Sequence, residues 1–428
     1  MTDTGQARSA RRRFRRDGAS PVFYGWWIVA AGVGLQALQA GLLSQAYGAY
    51  VVLLRDQFGW SKTLLSGAYS MAQAESGVTG PLQGWLTDRY GPRAVLRTGL
   101  VIFAIGFMLF SQVNSVVTFY LFFFVMAVGM SLGGYMSITV AIVKWFHRRR
   151  ATALGMTAVG VALGGLMVPG VTLALEAWGW RTTSFLSGVV ILVVGLPLAQ
   201  VMRARPEDHG LTVDGAPAAP PPESGVSETV ISADYTLAEA IRTRQFWLIA
   251  AGHGSALLVV GAVTVHLVSH LHDNLGYSLG AASLVVTVLT FAQVGGGLAG
   301  GWLGDRFSKR AITATCMFVH AGALLMVANA TATWMVLVFA VAHGMAWGIR
   351  GPLMAAIRAD YFGRSDFGKI LGASQPIIMI GLTGGPILAG ILADRTGSYE
   401  SGFTVLAVLA ALGSTFFIFS SPPRRKAV

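Results

Sequence analysis

Two ionisable side chains stand deep within apolar stretches of this sequence, Arg350 and Glu75. Charge in such surroundings is expensive and usually functional. Arg350 keeps its proton at any physiological pH, and its planar fork matches a carboxylate with paired hydrogen bonds. His343 and Trp347 precede it at a spacing of i, i+4 and i+7, so the three share one helix face and form a candidate strip for a substrate anion. The competing reading is a charge satisfied by Glu75 or by backbone carbonyls near Pro352. Glu75 is the candidate proton carrier, set against an ordinary hydrogen-bonded structural acid.

Other patterns point away from catalysis. His266, His270 and His272 place only two rings on one helix face and have no carboxylate set beside them, so no metal is expected. Gly295–Gly301 lacks the Lys-Ser/Thr of a phosphate loop and reads as close helix packing. No nucleophile–base pair and no ATP motif is present, so neither an enzyme nor a cofactor is expected. The single cysteine, Cys316, permits no internal disulfide.

The elements that position these groups follow from composition. Hydrophobic residues make up 54% of the 428 and charged residues 12%, against ~25% charged in a soluble domain. Mean hydropathy is +0.61. A cytosolic enzyme, a secreted disulfide scaffold and a disordered regulator are thereby excluded. A membrane helix needs ~20 mostly apolar residues, and twelve stretches qualify: 24–54, 64–86, 94–113, 116–145, 151–174, 182–201, 246–271, 279–303, 311–330, 334–357, 370–393 and 403–419. Their continuous apolar character excludes a β-barrel. The fold class is an all-α membrane protein.

With an even number of spans both termini share one side, and 26 of the 31 Lys and Arg fall on it. Four fall on the other side, and Arg350 lies within a span. The positive-inside rule places both termini in the cytoplasm, in a cell membrane expected to be a bacterial inner membrane. The tail Arg11–Arg16 is then a topology anchor attracted to anionic lipid headgroups, not a nucleic-acid arm.

The chain divides into a basic tail (1–22), a six-span half (23–203), a linker (204–240), a second six-span half (241–421) and a short tail (422–428). Prolines and acids crowd the linker, which is expected to stay disordered. The halves repeat. Trp27–Gly32 recurs as Trp247–Gly252, Arg55–Ser61 as His272–Ser278, and Gly84–Arg89 as Gly301–Arg306, the last two at an offset of 217. Gly77, Gly80 and Gly84 lie within ~60° on a helix, a smooth stripe for a facing helix; Glu75 lies ~180° from Gly84 and points into its own half.

The run Gly84-Trp-Leu-Thr-Asp-Arg-Tyr-Gly-Pro-Arg93 resembles the loop signature between spans 2 and 3 of the major facilitator superfamily, and Gly301–Arg310 resembles its second copy. Tyr24–Trp27, Phe58–Ser61 and Lys144–Arg149, with Gly155, Gly160, Gly164 and Gly165, resemble its monocarboxylate porter and oxalate/formate antiporter group. The resemblance implies twelve helices in two pseudo-symmetric halves and alternating access to a central site. It implies that Asp88 pairs with a nearby Arg and a helix N-terminus to latch one state, with Arg89, Arg93, Asp305, Arg306 and Arg310 as the rest of the gate. It implies that spans 1, 4, 7 and 10 line the cavity. Gln39 and Tyr47 (span 1), Tyr135 (span 4), His266 (span 7) and Gln375 (span 11) then join Arg350 as candidate substrate contacts.

One departure matters. Porters of this likeness carry an Arg in span 8, and the oxalate/formate members pair it with a Lys in span 11. Here span 8 is uncharged from Ser278 to Gly304, so Arg350 must take that role from span 10. The expected function is secondary transport of a small organic anion, a mono- or dicarboxylate, by a monomer in the bilayer, with protons as a coupled partner. An exporter of amphipathic drugs and a non-transporting membrane sensor are the alternatives; the linker is too short for a sensor's output domain.

Overall fold

The computed structural model describes residues 22–215 and 234–423. The Arg11–Arg16 tail, the middle of the linker and Arg424–Lys426 lie outside them. Every regular element among the described residues is helical. Ten segments are long and apolar enough to cross a membrane. One, Arg150–Val201, has 52 residues, ~78 Å as a straight helix and far beyond a ~30 Å hydrocarbon core. It turns at Gly179, whose φ of +74° lies in the left-handed region, and so supplies spans 5 (150–178) and 6 (180–201). The segment absent from the ten is Lys62–Tyr90, a continuous 29-residue helix diluted by polar residues. Twelve spans result.

Span 1 is Gly25–Phe58, span 3 Pro92–Phe110 and span 4 Val116–Trp145. Span 7 is Arg244–Asn274, span 8 Gly280–Arg306, span 9 Lys309–Ala328 and span 10 Thr333–Phe362, followed by span 11, Phe367–Thr396, and span 12, Tyr399–Ile418. Hydroxyls of Ser61, Ser115, Thr243, Ser278, Ser308 and Ser398 cap six of them by accepting from backbone amides of the first turn. Spans 1, 6 and 7 each contain a π-helical turn, at Ala40–Ser44, Ile191–Gly195 and His270–Asn274. The sequence offset of 217 carries into the structure: Val116–Trp145 and Thr333–Phe362 have the same length at that offset.

Glycine determines how the two halves meet. On span 2, a Cβ at Gly84 would strike the carbonyl of Gly368, and one at Gly80 would press on Gln375 and Gly372, so the stripe faces span 11. At the offset of 217, Gly301 meets Ala151 and Thr152, and Gly297 meets Gly155, so span 8 faces span 5 in the same way. Gly295–Gly301 is thus a helix-packing run. Gly296 and Gly300 also let the backbone of span 10 approach at Met345 and Ile349.

Both described chain ends lie at one face. The Tyr361 hydroxyl donates to the carbonyl of Ser420 (2.5 Å), the Trp145 indole to that of Arg203 (3.0 Å), and Phe23 packs on Trp145. The loops after spans 2, 4, 8 and 10 gather there with their Lys and Arg, and it is called the basic face below.

Two expectations need correction. The linker was expected to be disordered throughout, yet its described ends are docked. The Asp214 carboxylate accepts from the amides of His147 and Arg148, and Asp234 accepts from the Arg364 amide and the Ser365 hydroxyl. Backbone donors left free beyond the helix ends supply binding that composition does not reveal. Arg358, counted among the loop charges, is instead 1% exposed within span 10, because that helix runs on to Phe362 rather than stopping at residue 357.

The packing of spans 8 and 10 yields a direct test. A Cβ at Gly348 would collide with the carbonyl of Gln293, whereas one at Gly351 meets nothing within 4 Å. Gly348→Ala should lower the thermal midpoint in detergent by a few degrees, an overpacking effect of ~1–3 kcal/mol. Gly351→Ala should leave it unchanged or raise it, since Ala replaces Gly in a helix with a gain of ~1 kcal/mol. Equal midpoints for the two variants would contradict this packing.

Candidate functional site

A cavity of about 430 Å³ lies between the halves. Span 1 contributes Gln36 and Gln39, span 2 Ser76 and Gln83, and span 4 Ser131 and Tyr135. From the other half come His253 on span 7, Trp347 and Arg350 on span 10, and Gln375 on span 11. A side lobe of about 180 Å³ shares Gln36, Tyr135 and Trp347 and adds Thr157, Thr290 and Gln293. Among the described residues no Asp or Glu lines either space.

Each polar group is positioned by a local cause. Span 4 breaks at Gly133–Gly134, and the Gln39 amide donates to the buried Gly133 carbonyl at 2.5 Å. Tyr135 begins the helix again beyond the break. Gln83 donates to the hydroxyls of Thr79 (2.8 Å) and Ser131.

Arg350 is 1% exposed, and among the described residues its Nε and Nη1 have no hydrogen-bond partner. Neither Glu75 nor a carbonyl near Pro352 satisfies those two nitrogens. Glu75 is turned into its own half, where its Oε1 accepts from the Thr79 hydroxyl at 2.7 Å and its Oε2 has no partner among the described residues. An unpaired buried guanidinium is a costly arrangement, and this one borders a cavity shaped for a small molecule.

Of the eight candidate contacts, the cavity brings together Arg350, Trp347, Tyr135, Gln39 and Gln375. The other three stand elsewhere. His343 is wholly buried and bonds through Nδ1 to Nδ1 of His320 on span 9 at 3.1 Å. The Tyr47 hydroxyl donates to the Leu65 carbonyl at 2.6 Å, with its ring stacked on Tyr69. His266 bonds to the Pro386 carbonyl at 2.9 Å and packs on Tyr399. Helical spacing placed these three on promising faces but could not say which neighbour each face meets. His253 was missed for the same reason: its Nδ1 lies 3.4 Å from Nη2 of Arg358, a pairing visible only once spans 7 and 10 are packed.

At the basic face the halves are tied together by paired contacts. Asp88 accepts from Lys144 Nζ at 3.1 Å and from the backbone amide of Lys369 at 2.8 Å, at the start of span 11. Asp305 accepts from the amides of Ala151 (2.9 Å) and Thr152 (3.0 Å), at the start of span 5. Helix N-termini offer free amides and a positive dipole end to a carboxylate. Asp360 bridges Arg150 (2.6 Å) and Lys309 (2.8 Å). The expected Asp88–Arg pair is therefore an Asp88–Lys144 pair. The signature arginines work within their own halves: Arg89 lies over Trp85 and Tyr90, Arg93 donates to Gln200, and Arg306 lies over Trp302. Arg310 lies in the first turn of span 9. At the same face, burial works to raise the Asp366 carboxyl, but bonds from Lys369 and the Leu237 amide outweigh it and hold it below the usual aspartate value.

Comparison with known proteins fits this geometry. The family model of the Major Facilitator Superfamily matches residues 29–278 and 249–428. Monocarboxylate transporter 11 of Homo sapiens is 27% identical over 420 residues, covering 94% of this chain and 83% of its own. The oxalate:formate antiporter of Oxalobacter formigenes is 22% identical, covering 93% and 91%. The crystal structure of the human organic anion transporter MFSD10 (TETRAN) superposes with a TM-score of 0.70 at 14% identity, covering 91% of this chain and 98% of that one. That last likeness concerns the fold alone.

The latches predict a measurable shift. Asp88→Asn with Asp305→Asn weakens two bonds to charged groups, each contributing ~1.5–3 kcal/mol. A cysteine at Met136, on the cavity wall, should then be labelled about tenfold faster by an impermeant maleimide added at the basic face of a Cys316→Ala background. Unchanged labelling would show that these carboxylates do not hold the face shut.

Proposed function

The chain belongs to the Major Facilitator Superfamily and is a multi-pass membrane transporter, not an enzyme; we propose that it carries a small organic anion, a mono- or dicarboxylate, by alternating access. The observation that supports this most is Arg350, with two nitrogens that have no partner among the described residues, beside a cavity that no described carboxylate lines. A carboxylate entering there gains a fork of charge-assisted bonds and relieves an unpaired buried charge. Lipophilic cations, the cargo of many drug exporters, would meet a cationic wall instead. Relatives named for monocarboxylate and oxalate:formate transport support the anion class.

The basic face is cytoplasmic in this reading, and the membrane is a bacterial inner membrane. Lys and Arg distribution supports that orientation, apart from Lys144, Arg150 and Arg358, whose burial makes them structural. The structure then represents a state shut toward the cytoplasm. Release of Asp88 from span 11 and of Asp305 from span 5 frees the same glycine seams, so the halves rock about the bound anion.

Purified protein in liposomes preloaded with a carboxylate should exchange it for labelled carboxylate outside. Arg350→Gln should weaken apparent affinity at least about thirtyfold, since truncating one partner of a buried charge pair costs ~2–5 kcal/mol. Arg350→Lys, which keeps the charge and loses the fork, should fall between. Gly351→Leu fills open space in the cavity wall and should abolish exchange while the protein remains folded. Full exchange by Arg350→Gln would overturn the anchor.

A further inference from the structure

His320 and His343 form a pair that anion binding by itself does not use. Both rings are wholly buried, with centroids 4.6 Å apart and Nδ1 facing Nδ1 at 3.1 Å. Two such nitrogens bond only if one carries the hydrogen and the other does not. A neutral imidazole has one N–H. The donor ring therefore has a bare lone pair at Nε2, and the acceptor ring carries its hydrogen there. Among the described residues neither Nε2 has a partner. Buried polar atoms are seldom left unpaired without a reason, and this pair holds one vacant proton site.

Arg350 stands two helical turns beyond His343 on the same face, ~10 Å along the axis. Trp347, on the cavity wall, lies between them, 6.4 Å from the His343 ring. Span 9 also offers Cys316, one turn before His320, with Lys309 and Arg310 at its basic end. Span 10 adds Arg358 and Asp360 at the same end. Span 8 has no charged residue between Ser278 and Gly304, and span 12 has Tyr399 and Glu400 only at its opposite end. No carboxylate of the described residues is therefore placed to neutralise a protonated pair.

We propose that the His320–His343 pair is a proton-binding site coupled to the anion at Arg350, so that the protein is an anion–proton symporter. This rests on the anion reading above. With the cavity empty, Arg350 opposes a second positive charge nearby. A bound carboxylate cancels Arg350. A proton from water then forms an N–H bond at the bare Nε2, and the charge spreads over the retained Nδ1–H···Nδ1 bond. Two unit charges ~10 Å apart at an effective dielectric of ~20 change the proton equilibrium about tenfold. Release on the far side reverses the order: the carboxylate leaves, Arg350 regains its field, and the same N–H gives its proton back to water. Glu75 is less suited, because it lies on the other half and has no ion pair with Arg350.

The test uses the full-length protein in liposomes with labelled lactate, oxalate and succinate in turn. Counterflow comes first. If none of the three exchanges, the anion reading falls and this inference with it. For an anion that does exchange, an inward proton gradient should drive accumulation by the wild type. His320→Gln and His343→Gln should keep counterflow within about twofold and lose about tenfold or more of the gradient-driven accumulation, whereas Glu75→Gln should keep both. A wild type indifferent to the gradient, gradient-driven accumulation retained by the histidine variants, or uncoupling by Glu75→Gln would each overturn the proposal. Proton uptake measured with a pH indicator in weakly buffered detergent needs no variant: adding the anion to wild type should take up at most about half a proton per protein, the largest change a tenfold shift at one site allows, and no uptake would overturn it equally.

Discussion

A charge buried in apolar surroundings must find a counter-charge, and the whole structure turns on where it does. Nearly every buried ionisable group has its partner in the protein. Asp88 has Lys144 and the start of span 11, Asp305 has the start of span 5, Arg150 has Asp360, and Arg358 has the Met354 carbonyl and His253. Among the described residues Arg350 and Glu75 are the exceptions, and of the two Arg350 is the one that borders the central cavity. A partner that arrives from outside, stays while the halves move and leaves on the other side is what a carrier requires.

The scaffold repeats but the chemistry does not. Spans, glycine seams and carboxylate latches recur at an offset of 217 residues. At that offset Arg350 corresponds to Gly133, Trp347 to Met130, His343 to Met126 and His320 to Phe103. Repetition suits the moving parts, because two like halves rocking on like seams reach two related states. An anionic cargo, as proposed, would need one charged wall, and the charged side chain of the cavity, Arg350, stands in the second half. The first half supplies the neutral wall of Gln36, Gln39 and Tyr135.

Much of this was legible in the sequence because lipid limits the solutions. Apolar run length gives the spans, the doubled Gly-Trp-Leu-x-Asp-Arg gives the seams and latches, and the scarcity of charge isolates Arg350 and Glu75. What was not legible depends on which helix faces which. His343 shares Arg350's face yet turns to His320 rather than to the cavity. Tyr47 and His266 spend their polar atoms on carbonyls of Leu65 and Pro386. Arg150 and Arg358 looked like loop charges because helix ends cannot be read to within a turn, and one turn decides whether a charge meets water or a neighbouring helix.

The central claim is that a carboxylate completes Arg350. A structure determined with a bound bromobenzoate tests it most directly, since the bromine's anomalous signal locates the ligand independently of the polypeptide. The account predicts the carboxylate in the central cavity, with oxygens ~2.7–2.9 Å from Nε and Nη1 of Arg350. A bromobenzoate bound elsewhere, with those two nitrogens still unpartnered, would contradict it.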